Sequence, residues 1–111
     1  MFDTIIRGGT VIDGTGLPGF TADVGITAGK IAAVGALSAA PASRVIDASG
    51  RVVTPGFIDI HRHADAAAFR PGYGELELRQ GLTTIVNGNC GLSAAPFGET
   101  HAAAIRAYLR P

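Results

Sequence analysis

The chain has 111 residues, 47% of them apolar and 16% charged, a composition that excludes a disordered or fibrous protein and predicts a buried core. Lysine plus arginine equals aspartate plus glutamate at 9 each, so no basic excess draws nucleic acid or an anionic membrane surface, and neither is expected as a partner. MFDTIIRGG lacks a signal peptide's charged and apolar regions, no run reaches the roughly 18 apolar residues of a membrane span, and the single Cys90 cannot form an internal disulfide; a cytoplasmic protein with a free thiol is the expectation.

From Thr4 to Val53 the chain is a series of short strand-like runs: TIIRGGTVI, ADVGIT, KIAAVGAL, RVIDA and RVVTP. Turn signals separate them: GTGLPG at 14–19, Ala28-Gly29-Lys30, Pro41 and Ala48-Ser49-Gly50. Thr27 to Lys30 has the form of a tight hairpin joining the second and third runs. A sheet of about four or five strands follows, and its apolar face needs a second sheet or a neighbouring domain to cover it.

After Pro55-Gly56 the pattern changes. Phe57 to His63 is an apolar run that turns polar at its carboxyl end, Tyr73 to Leu82 is helix-like with Leu76, Leu78 and Leu82 as apolar positions and Gly81 near the stop, and Thr83 to Val86 is β-branched. Strand, helix and strand in that order predict a βαβ unit with parallel strands, the way an α/β barrel or doubly wound sheet begins. Residues 98–110 predict a further helix, with Thr100 as its amino cap and Ala104, Ile105, Tyr108 and Leu109 on one side. Since two parallel strands do not close a sheet, a fragment of a longer fold is expected, divided at 1–54 and 55–111.

Two motifs carry chemistry. In Phe57-Ile58-Asp59-Ile60-His61-Arg62-His63, strand alternation sends His61 and His63 to one side, with Asp59 one step below, Asp65 beyond and Arg62 turned away. Two imidazoles so placed can bind one metal ion, or they can be polar strand-end residues that hydrogen-bond locally; the carboxyl end of an apolar strand, where barrels build their sites, favours the metal. In Asn87-Gly88-Asn89-Cys90-Gly91, at the end of the next strand, the thiolate suits zinc, and the alternative is a small buried apolar residue. Placement one βα unit apart puts all three on one rim. Asp59 is expected to orient a histidine, Asp65 to cap a loop or join the site, and His101 to lie at the surface.

VIDASG, then VTPGFIDIHRHAD, then GLTTIVNGNCG resembles the amidohydrolase superfamily, in its D-aminoacylase (N-acyl-D-amino-acid deacylase) branch, over nearly the whole chain. The resemblance implies an α/β fold in which an amino-terminal segment of a composite β-sandwich precedes the first βα units of a TIM-like (β/α)8 barrel, incomplete in this chain. It implies His61, His63 and Cys90 as ligands of zinc, one or two ions, with Cys90 where relatives use a carbamylated lysine. The implied reaction is hydrolysis of the amide of an N-acyl-D-amino acid, a small-molecule substrate, in which the metal acidifies water and polarises the carbonyl. The proton-shuttling aspartate and two more histidines belong to later strands, so the fragment alone is expected to be inactive. A cyclic-amide hydrolase of the dihydropyrimidinase kind is an alternative against which Cys90 argues, and a non-enzymatic β-rich interaction module is another.

Overall fold

The computed structural model describes residues 1–67, 70–93, 95–96 and 98–108. It divides into two compact units, Met1–Pro55 and Gly56–Pro111.

The first unit is a five-stranded sheet. β1 (Phe2–Val11), β2 (Phe20–Thr27), β3 (Lys30–Gly35) and β4 (Ala42–Asp47) lie in the order β3-β2-β1-β4, and β5 (Val52–Val53) continues along β1. β1–β2 and β2–β3 are antiparallel, whereas β4 and β5 both run parallel to β1. The β2–β3 connection is the expected hairpin: Thr27 pairs with Lys30, and Ala28 and Gly29 between them have φ of 50° and 71°. Both central residues at positive φ make the turn whose twist matches the flanking strands.

β1 is interrupted where its register with β2 shifts between Ile6 and Gly9, leaving Arg7 and Gly8 opposite Asp23. Gly8 supplies the left-handed backbone of this bulge at φ 71°, and Asp23 closes it by accepting from the Gly8 N–H. Beyond the bulge β1 exchanges β4 for β5, pairing Thr10 with Val52 and Val11 with Val53. Val11, Ala22 and Val24 form the buried cluster, with Ile6, Ile26 and Val53 against it, and Ile5 is fully buried. The described residues of this unit form one sheet; Ile31, Val34, Val45 and Val52 are exposed on it, as a single layer requires.

The second unit contains the expected parallel pair, β6 (Phe57–Asp59) and β7 (Leu82–Ile85), with α1 (Glu75–Arg79) between them in sequence. Gly56 has no room for a side chain, because a Cβ there would overlap Thr83 on β7. Three expectations need correction. The helix spans Glu75–Arg79 and not 73–82: Gly74 and Gly81 take left-handed φ of 87° and 83° at its two ends, and Leu82 pairs with Phe57 as the first residue of β7. The strand expected to run to His63 ends at Asp59, whose carboxylate accepts from the His61 N–H and turns the chain. Thr100 is not the amino cap of the last helix; a 3-10 turn at Glu99–His101 follows Gly98 and leads into α2 (Ala102–Tyr108) without a side-chain cap. Leu109, expected on the apolar side of that helix, lies outside the described residues. No helix among the described residues is long and apolar enough to cross a membrane.

Candidate metal centre

The loop after β6 is fixed from both sides. Asp59 Oδ1 accepts from the His61 N–H at 3.1 Å, and its Oδ2 faces Arg62 Nη1 at 3.4 Å. The other arm of the Arg62 guanidinium pairs with Glu77 on α1. This fork holds the cation between two carboxylates, in a loop and not on a strand. The rings of His61 and His63 stand edge to face with centroids 5.3 Å apart.

The second loop is tied to the first through main chain and side chains together. Backbone pairing continues past both strands, Val86 N–H to Asp59 C=O at 2.8 Å and Arg62 N–H to Val86 C=O at 3.1 Å. Asn87 Oδ1 accepts from the Ala64 N–H at 3.2 Å, and Asp65 Oδ2 from the Gly88 N–H at 3.3 Å. Asn89 Nδ2 donates to the Val86 C=O at 2.8 Å and to the Arg62 C=O at 3.2 Å. Gly88, just before the short 3-10 turn at Asn89–Gly91, and Cys90 within it adopt left-handed backbone, φ 83° and 56°. A non-glycine residue there is uncommon, and the ties around it hold it in place.

The result brings the three expected ligands together. Cys90 Sγ lies 3.5 Å from His61 Nε2, and one ligand atom from each of His61, His63 and Cys90 falls within 4.8 Å of the others. With zinc–nitrogen bonds of about 2.1 Å and zinc–sulfur bonds of about 2.3 Å, neighbouring ligands of a tetrahedral ion are separated by about 3.6 Å. The Cys90–His61 distance already matches that edge, and the widest separation needs about an ångström of closure. Cys90 is exposed, which removes the reading of a small buried apolar residue. Two nitrogens and a sulfur are a donor set that zinc accepts.

Asp59 reaches His61 through the main chain; its bond is to the amide, not to the imidazole. Asp65 caps the second loop. His101 is exposed in the 3-10 turn before α2. Asn87 and Asn89 escaped the sequence reading, which took the flanking glycines as the structural part of the motif; an Asn-Gly-Asn run, with side chains short enough to bond nearby backbone, was the available signal.

The sequence model of the Amidohydrolase family matches residues 44–110. The N-acyl-D-glutamate deacylase of Alcaligenes xylosoxydans xylosoxydans is 56% identical over 95 residues, which are 85% of this chain and 19% of that protein. A D-aminoacylase structure described with a binuclear metal centre superposes with a TM-score of 0.80 at 54% identity, covering 87% of this chain and 20% of that one. The N-acyl-D-glutamate deacylase of Bordetella bronchiseptica, complexed with zinc and a phosphonate inhibitor that mimics the tetrahedral intermediate, superposes with a TM-score of 0.79 at 50% identity, covering 86% of this chain and 20% of that one. The chain therefore spans about a fifth of the length of the relatives it matches.

Proposed function

The chain belongs to the amidohydrolase family, and from that premise we propose that His61, His63 and Cys90 are ligands in the zinc centre of an enzyme that hydrolyses the linear amide of N-acyl-D-amino acids. The convergence of the three ligand atoms within 4.8 Å carries this reading. The donor set fits the ion, and the deacylase relatives supply the substrate class. Zinc bound there supplies Lewis acidity for polarising an amide carbonyl and acidifying water.

The chain's own residues do the holding. His61 and His63 present ring nitrogens, Cys90 presents sulfur, Asp59 fixes the backbone of the first histidine, and the Arg62 charge is taken up by Asp59 and Glu77. In this proposal the sheet of residues 1–54 is one part of a sandwich domain, and residues 55–111 open the barrel that bears the site. The partner is a small N-acyl amino acid. The aspartate that moves the proton, and the further histidines, stand on later strands in the resemblance and are matched by none of these residues.

Zinc binding to the purified chain tests the assignment, measured against a His61→Ala/His63→Ala/Cys90→Ala triple variant. We expect stoichiometric zinc in the parent and none in the variant. Equal zinc in both would remove the assignment.

A further inference from the structure

Among the described residues, one side chain between the histidine loop and the cysteine loop donates to both. Asn89 Nδ2 reaches the Val86 C=O at 2.8 Å, at the exit of β7, and the Arg62 C=O at 3.2 Å, on the peptide that links Arg62 to His63. Asn89 immediately precedes Cys90, and Arg62 lies between His61 and His63. The two protons of one rigid carboxamide thus set the spacing of the backbone segments that carry all three ligand atoms. Asn87 and Asp65 also cross between the loops, but each accepts a single N–H, from Ala64 and Gly88.

We infer that Asn89 is a positioning residue of the metal centre: its carboxamide clamps the cysteine loop to the histidine loop and so brings Cys90 Sγ to ligand distance of His61. The inference rests on the reading of His61, His63 and Cys90 as ligands and adds the residue that places the sulfur among them. Losing the clamp frees Cys90 to leave its left-handed conformation, while His61, whose N–H is held by Asp59, keeps its place. The sulfur, more than the nitrogens, is therefore lost from the site.

Cobalt(II) is the probe, because a thiolate ligand gives it a charge-transfer band that nitrogen ligands do not. In Asn89→Ala, we expect the charge-transfer band to fall by more than half and cobalt affinity to drop about 10- to 100-fold, the usual cost of losing a residue that orients a ligand. An unchanged band and affinity in Asn89→Ala would overturn the clamp and leave the three-ligand centre standing. Absence of the band in the unsubstituted chain would overturn the three-ligand reading and the clamp together. Should Asn89→Ala fail to fold, hydrogen exchange in the unsubstituted chain decides: the Asn89 carboxamide protons should exchange about tenfold more slowly than those of Asn87, whose oxygen is the bonded atom. Equal rates would overturn the clamp.

Discussion

Asp23 is the buried acid of the sheet, and both of its oxygens accept main-chain N–H groups, Oδ1 from Gly8 at 2.8 Å and Oδ2 from Leu37 at 2.9 Å. The Gly8 bond first, then the Leu37 bond, and last the nearby Arg7 charge hold its pKa below the ordinary 3.8 against the opposing cost of burial. Asp47 and Asp13 are lowered as well, chiefly by hydrogen bonds from Ser49 and from Thr15. A carboxyl more acidic in the folded chain than in the unfolded one contributes stability that is complete above the unfolded value and is lost as pH falls through the folded one. The contribution of these carboxyls should therefore be kept down to about pH 4 and decline below it. Asn at position 23 can accept only one of the two N–H groups and turns an NH2 toward the other. Asp23→Asn should lower the Tm at pH 7 and flatten the acid loss; an acid profile identical to the parent's would show that Asp23 does not carry it. None of this was legible beforehand, since Gly8 and Leu37 lie 15 and 14 positions from Asp23. That His61, His63 and Cys90 would come together was legible because all three sit just past the carboxyl ends of two consecutive strands, and that placement is local information.

Turns and caps decide what could be read of the elements. The strands of the first unit follow their β-branched runs closely, because Gly and Pro punctuate them where the backbone turns. The helix between β6 and β7 was read too long, because leucines at helical spacing say nothing of the left-handed glycines that bound it, and Leu76 and Leu78 remain exposed. β6 was read too long for a related reason: a carboxylate that caps the following amide ends a strand, yet leaves the hydrophobic pattern intact. The histidines converge nonetheless, since the main-chain ladder resumes between Arg62 and Val86. The β2–β3 turn offers a direct test of this scale. Ala28 occupies left-handed backbone at φ 50°, a conformation that costs an ordinary residue about 1 kcal/mol more than it costs Asn or Gly. Its N–H bonds Asp3 and is untouched by a side-chain change. Ala28→Asn should raise stability by about 0.5–1 kcal/mol in urea unfolding with an unchanged denaturant slope. A loss of stability would mean that the turn is not of this type in solution.

At the scale of the molecule, each unit leaves apolar surface in water. The outer strands of the sheet are β3 and β4, and there Ile31 is 67% exposed, Val34 48% and Val45 47%. On the second unit Phe57, Ile58, Leu76 and Leu78 are each more than half exposed. That the sheet would have an uncovered face followed from its small size, whereas which strands would form its edges did not, because the parallel pairing of β1 with β4 skips two intervening strands. An outer strand with unpaired N–H and C=O groups and β-branched side chains is a template for another strand. The 111-residue chain should therefore self-associate as its concentration rises toward the order of 100 μM, seen as growth in sedimentation coefficient. A lysine on an edge opposes such pairing by charge and solvation, so Ile31→Lys with Val45→Lys should shift the onset to higher concentration while the far-ultraviolet signal of the sheet is kept. Self-association unchanged by both substitutions would move the contact to the exposed residues of the second unit, where Ile58→Lys is the corresponding variant.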